Sequence, residues 1–324
     1  MNPIIRLNNV TRRFGSKLAL NNVSLDIPAG CVFALLGENG AGKTTAIKNI
    51  LGLDTPSQGD INVIGLDPKK NGVEIRRSVG YVPDSPALYD WMTVSEIGWF
   101  SAGFYEDGFF ENFQNLCQEF ELETDQKIKA LSKGGRAKVA LALAMGHSPD
   151  LLIMDEPTSG LDTLVRRKFL ESMVDVAAAG RTVLLSSHLI PEVERIADQV
   201  AIIHDGQILV NDRIENLKQR FERWVVSFDS DDLSMPEFAG EVISHEGQTR
   251  KRQQLMIRDP GNDALWQLRD HPTISEVEVH TPSLEEIFVS LLSYGNPISN
   301  STTVQPDAAV KPIVIDQTTG EASQ

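Results

Sequence analysis

The residues best suited to chemistry form one run, Gly37-Glu38-Asn39-Gly40-Ala41-Gly42-Lys43-Thr44, followed by Thr45. Their spacing is G-x-x-x-x-G-K-[ST], which cradles phosphate in backbone N–H groups. Gly37, Gly40 and Gly42 carry no Cβ, so the chain can take positive φ and leave room for an anion. The amides then form a nest at the positive end of a following helix. Lys43 is placed to reach the β- and γ-phosphates, and the Thr44 hydroxyl to sit on Mg²⁺. A second pair, Asp155-Glu156, ends an apolar run. There Asp155 is expected to hold Mg²⁺ through water, and Glu156 to polarise an attacking water as general base.

The elements around these residues fit that chemistry. Cys31 to Leu36 reads as a buried strand, and Thr45 to Leu51 as a helix closed by Gly52. Leu151 to Asp155 and Thr182 to Ser187 read as central parallel strands covered on both faces. Alternation predicts strands at Ile4–Val10, Leu18–Ile27 and Asp60–Gly65, with a turn at Thr11–Gly15. Val79 to Asp84 is a strand that ends at a proline. From Thr93 to Pro149 the spacing is helical. Helices are predicted at Leu164–Ala179 and Ile190–Ala197, and a hairpin at Asp205-Gly206. Strands alternating with helices imply a mainly parallel α/β core.

Composition shifts after Lys218. Trp224–Phe228, Gln254–Ile257 and Ile274–Val279 look like strands, Asn262–Arg269 and Ser283–Leu292 like helices. The domains expected are thus 1–218, with a helical insertion at about 85–149, then a small α+β unit at 219–294. Residues 295–324, rich in Asn, Ser, Thr, Pro, Asp and Gly, read as a disordered tail.

The chain has 324 residues, 41% of them hydrophobic, and a net charge of −15. The acidic balance disfavours nucleic acid and anionic lipid, which need a basic face. Two cysteines, Cys31 and Cys117, suggest no disulfide framework. No stretch approaches the ~18 uninterrupted apolar residues of a membrane span, and no signal pattern opens the chain, so a soluble protein is expected.

Leu131-Ser132-Lys133-Gly134-Gly135, upstream of Asp155, resembles the L-S-G-G-Q signature of ABC-type ATPases. Met154-Asp155-Glu156-Pro157-Thr158-Ser159-Gly160-Leu161-Asp162 is similar to their Walker B strand and D-loop, and Ser187-His188 to their switch histidine. The resemblance covers residues 4–217. It implies a P-loop NTPase cassette with a mainly parallel core sheet, an antiparallel β subdomain and a helical insertion. It implies that Phe14 stacks on adenine and that Gly37 to Thr45 bind the phosphates. Ser132 and Gly134 would bind the γ-phosphate of a nucleotide held by another subunit. His188 would contact the γ-phosphate and hold the catalytic geometry with Glu156, and Asp162 would signal across the interface. ATP and Mg²⁺ are thus implied, with a second nucleotide-binding domain as partner, either a homodimer or a paralogue. A separate transmembrane permease subunit is also implied, which would hold the chain at the cytoplasmic face of the membrane. Tyr81, Tyr89, Trp91 and Met92 line the region where such ATPases receive the permease.

Two positions depart from the family pattern. Asp84 stands where a glutamine is usual, leaving its place on Mg²⁺ and the water less defined. Lys133 replaces the first signature glycine, and Gly135 the glutamine. Both variants, and the C-terminal Ser283-Leu284-Glu285-Glu286-Ile287-Phe288, resemble ATPase subunits of bacterial exporters of drugs, peptides or polysaccharides. The alternatives are a soluble ABC-type ATPase working on ribosomes or DNA, and a non-hydrolysing regulator.

Overall fold

Two burial patterns divide the strands of the computed structural model, which describes residues 3–229, 235–249 and 251–294. Strands β1 (Ile5–Phe14) and β2 (Lys17–Ile27) largely alternate buried and exposed residues, as a sheet with one wet face should. Strand β3 (Val32–Leu36) is buried throughout. The phosphate loop leads from it into α1 (Lys43–Ile50). Strand β4 (Gln58–Val63), helix α2 (Pro68–Ser78) and strand β5 (Val79–Val82) follow. The helical insertion comprises α3 (Val94–Ala102), α4 (Phe109–Glu119), a 3₁₀ turn at Ile128–Ala130 and α5 (Lys133–Met145).

Alternation then resumes with β6 (Leu151–Asp155), α6 (Thr163–Ala178), β7 (Thr182–Ser187) and α7 (Ile190–Val193). Strands β8 (Gln199–His204) and β9 (Gln207–Arg213) form the hairpin at Asp205-Gly206. The C-terminal unit holds α8 (Ile214–Arg220), β10 (Phe221–Phe228), β11 (Glu241–Thr249) and β12 (Arg252–Arg258). It ends with α9 (Ala264–Arg269), β13 (Ile274–His280) and α10 (Leu284–Tyr294).

The central sheet has the order β5-β6-β7-β3-β8-β9. It is parallel except for the last pair. A separate antiparallel sheet, β2-β1-β4, packs beside it, and the C-terminal sheet is β11-β12-β10-β13. This is the expected α/β cassette. Register puts Leu35, Ser186 and Asp155 in one row across β3, β7 and β6. The carboxyl ends of these strands therefore open together, where open α/β sheets bind ligands.

Successive residues of β3 feed opposite faces of the core. Val32, Ala34 and Leu36 pack with β6, β7 and α6, while Phe33 and Leu35 pack toward α1 and the antiparallel sheet. The first of these cores continues past residue 218, through Phe221, Ile243 and Met256 to Leu284, Ile287 and Phe288. The C-terminal sheet also has its own apolar cluster, around Trp224, Phe228, Leu255 and Leu268.

Some boundaries differ from the sequence expectation. Thr11–Phe14 is not a turn: bulges carry β1 onward until Phe14 pairs with Lys17, and Gly15, at φ 57°, makes the tight turn. Helix α7 stops at Val193 rather than Ala197. Helix α2 went unpredicted because Asn71 and Gly72 break its pattern, although Asp67 accepts a hydrogen bond from the Lys69 amide and Pro68 sits in its first turn. Helix α8 and strand β11 were likewise missed. Both are short on apolar periodicity and gain their burial from neighbours. The tail expected at 295–324 lies outside the described residues.

Candidate nucleotide site

The loop after β3 has its glycines where side chains have no room. Gly42 takes φ 116°, and a Cβ there would stand 2.6 Å from the Ala19 carbonyl oxygen. One on Gly37 would stand 2.4 Å from the Ile203 carbonyl oxygen. The β8–β9 hairpin braces the loop, because the Gly206 amide donates to the Ala41 carbonyl at 2.9 Å. Gly42 is the N-cap of α1 and has no side chain to cap it. The first amides of that helix therefore remain for an anion.

Lys43 is buried, and its ammonium donates to the carbonyls of Gly37 at 2.7 Å and Glu38 at 3.2 Å. It also lies 2.9 Å from Oε1 of Glu156. The other carboxylate oxygen of Glu156 is 2.7 Å from Nδ1 of His188. Glu156 sits at φ 49°, an uncommon conformation for a residue with a Cβ. Ser186 holds it there, since the Glu156 amide donates to the Ser186 hydroxyl at 3.0 Å and to its carbonyl at 3.2 Å. The same hydroxyl donates to Oδ1 of Asp155 at 2.6 Å. Ser187 accepts from the Leu189 amide at 3.0 Å, which fixes the backbone on either side of His188. One serine, at the end of a central strand, thus orients both acids.

A cleft of about 360 Å³ runs over the loop. Phe14, Glu38, Asn39, Gly40, Gly42, Lys43, Thr44, Thr45, Asp84 and Glu156 line it, together with Lys17 and Ala19. Gly37, Ala41 and Asp155 are buried next to lining residues in the chain but do not themselves line it. Phe14 is half exposed, and the Arg12 guanidinium lies 4.4 Å from its ring centroid. Asp54 holds Arg12 at 2.6 Å. Behind the cleft, the Tyr81 hydroxyl is pushed up to about 12, by burial first and then by the charges of Asp155 and Asp84. Thr44, Asp84 and Asp155 offer hard oxygen donors, the set that suits Mg²⁺ when phosphate supplies further oxygens.

Three predicted residues lie elsewhere. The Ser132 hydroxyl caps α5, accepting from the Gly135 amide at 3.1 Å, and Gly134 packs toward Val165. Asp162 caps α6, accepting from the amides of Leu164 at 3.1 Å and Val165 at 3.0 Å. None of the three lines the cleft. Of the four residues expected to face a permease, Met92 is instead buried in the core of the helical insertion, and Tyr81 packs against the central core. Tyr89 and Trp91 are exposed and continue into Phe100 and Phe104, with ring centroids 5.5–6.1 Å apart. Sequence reasoning did not single out Ser186, Arg12 or Lys17. A polar Ser-Ser pair ending an apolar strand was the available signal for the first.

A parallel sheet that opens onto a glycine loop, a buried lysine and an Asp-Glu pair defines a phosphate-loop nucleoside triphosphatase. Residues 20–159 match the ABC transporter family. The bacitracin transport ATP-binding protein BcrA of Bacillus licheniformis is 29% identical over 316 residues, which cover 91% of this chain and 99% of that one. The ABC transporter ATP-binding protein NatA of Bacillus subtilis (strain 168) is 36% identical over 224 residues, 66% of this chain and 91% of that protein. A solved ATP-binding subunit of an ABC transporter superimposes with a TM-score of 0.62 at 31% identity, covering 67% of this chain and 92% of the other. The chain belongs to the ATP-binding proteins of ABC transporters and is an ATPase.

Proposed function

We propose that this chain powers an exporter by closing on a second nucleotide-binding domain around ATP and Mg²⁺, then opening after hydrolysis. One observation carries this. The cleft gathers Lys43, Thr44, Asp84 and Glu156, yet Ser132 and Gly134 do not line it. A second domain must bring the signature residues to the γ-phosphate. Glu156, oriented by Ser186 and bonded to His188, activates the water. Thr44 and the Asp155 carboxylate would hold Mg²⁺, whose positive charge would be supplied beside the phosphates. Asp84, which lines the same cleft, would add a further oxygen donor, and Phe14 would stack on the base.

The coarse assembly is that of the family, whose ATP-binding subunits work with transmembrane components. No described helix is long and apolar enough to cross a membrane. The exposed aromatic strip on the insertion suits a separate permease, which would hold the chain at the cytoplasmic face of the membrane. Transport follows the bacitracin transport relative, and its outward direction the sequence variants at Asp84 and Lys133. The test is reconstitution of the chain with its permease in vesicles. ATP-driven solute movement toward the face away from the ATPase supports export. Movement toward the ATPase side, or recovery of the chain only with ribosomes, refutes it.

A further inference from the structure

His188 reaches Glu156 from a very short element. It stands between β7 and α7, and α7 is a single four-residue turn. A helix that short has no stability of its own. Its position is therefore set by what packs and bonds against it.

On one side α7 is tied to the loop that carries Asp162. Glu192 Oε1 lies 2.7 Å from Nη1 of Arg166, whose Nη2 donates to the Leu161 carbonyl at 2.8 Å. On the other side it is tied to the C-terminal unit. Ile190 and Val193 share an apolar core with Leu284, Ile287, Phe288 and Leu291 of α10. Glu194, directly after the turn, is mostly buried and bonds two further helices. Its Oε1 lies 2.8 Å from Nζ of Lys218 on α8. Its Oε2 accepts from the amide of Leu284, the first residue of α10, at 3.2 Å. A carboxylate at the positive end of α10 is electrostatically favourable.

We propose, on the assignment of Glu156 and His188 to hydrolysis, that Glu194 is a positioning residue: it couples the C-terminal unit to the switch histidine, so that the seating of α8 and α10 sets the turnover rate. A shift of α10 is transmitted to α7 through Glu194 and the shared apolar core, and from α7 to the His188–Glu156 contact. The C-terminal unit then regulates the ATPase without touching nucleotide.

The experiment compares Glu194→Ala and Glu194→Gln in the full chain with ATP. Glu194→Ala is expected to lower kcat about tenfold while KM and fluorescent-nucleotide affinity stay within about twofold. Glu194→Gln keeps an acceptor for the Leu284 amide but loses the charge facing Lys218, so it is expected to fall between wild type and the alanine variant. It also carries the test should the alanine variant not fold. The ring C2 proton resonance of His188, identified among the six histidines by its loss in His188→Gln, is expected to move in both variants. An unchanged kcat overturns the proposal, and so does an unmoved His188 resonance. A joint fall of kcat and nucleotide affinity also overturns it, as general loosening. If His188→Gln and Glu156→Gln themselves turn over at the wild-type rate, the catalytic assignment fails instead.

Discussion

The Lys43 ammonium lies 2.9 Å from the Glu156 carboxylate, and both side chains are largely buried. The cation that would take the γ-phosphate and the base that would activate water are thus one ion pair. Each holds the other's charge in a desolvated place. His188 supplies the second contact to Glu156 at 2.7 Å. The acid is therefore placed by three groups: Lys43 from α1, Ser186 from β7, and His188 from the segment directly after β7.

Glu156→Gln keeps the shape and removes the base. Loss of a general base lowers turnover by about 10²–10⁴-fold. Lys43 is then no longer shared with a carboxylate, so ATP binding is expected to persist or tighten. Nucleotide-dependent dimers should accumulate. Phosphate release and size-exclusion chromatography with ATP check both halves. Wild-type turnover would remove Glu156 from the chemistry.

Ser186→Ala removes the hydroxyl that bonds both Asp155 and the Glu156 amide. The Glu156 amide keeps the Ser186 carbonyl at 3.2 Å, whereas Oδ1 of the buried Asp155 loses its donor. Leaving a buried polar group unsatisfied costs about 1–3 kcal/mol. Stability in urea should fall by that order, and hydrolysis should fall more than nucleotide affinity. Equal losses in both would mean that Ser186 only supports the fold.

Most of the cassette was legible in the sequence because its signals are local. A fully apolar strand, a glycine loop and a helix must adjoin, so Gly37 to Thr44 could be placed from spacing alone. Asp155 and Glu156 followed from the apolar run before them. Ser186 was not legible, because its role depends on the β6-β7-β3 strand order, which sets it beside Asp155. Strand order is a long-range property. Helix α2 and strand β11 were missed for a related reason: their residues are mostly polar, and partners rather than periodicity fix their structure. Met92 shows the opposite error, an apolar residue beside exposed aromatics that packs inward.

Trp91 and Phe104 are 63% and 65% exposed at opposite ends of one aromatic strip. Large apolar patches of this kind mark interaction surfaces. The double substitution Trp91→Ser, Phe104→Ser is expected to leave the melting temperature and the ATPase rate of the isolated chain unchanged. Recovery of a multi-span protein with the chain from detergent-solubilised membranes should fall sharply. Undiminished recovery would move the permease contact elsewhere.

His147 gives the insertion a pH dependence whose sign can be worked out. Its ring stacks on Tyr105 at a centroid distance of 4.5 Å, and Tyr105 stacks on Phe109 at 4.7 Å. Both ring nitrogens are buried, with no hydrogen-bond partner among the described residues. Burial lowers the His147 pKa from its ordinary value of 6.5. Tyr105 is pushed up by burial and stays neutral in this range. Below about pH 6.5 the unfolded chain therefore binds a proton that the folded chain resists. Stability should decline as pH falls from about 6.5 toward the lowered folded value, by at most about 1.4 kcal/mol per pH unit from this one group. The slope fades over about one pH unit above 6.5, where the unfolded imidazole also loses its proton. His147→Phe keeps the stack and removes the titration, so its urea midpoint should change less than wild type's between about pH 6.5 and 5, above the range where carboxylates titrate. Equal slopes in the two proteins would show that His147 protonates as readily folded as unfolded, and that the stacked ring is not shielded from water.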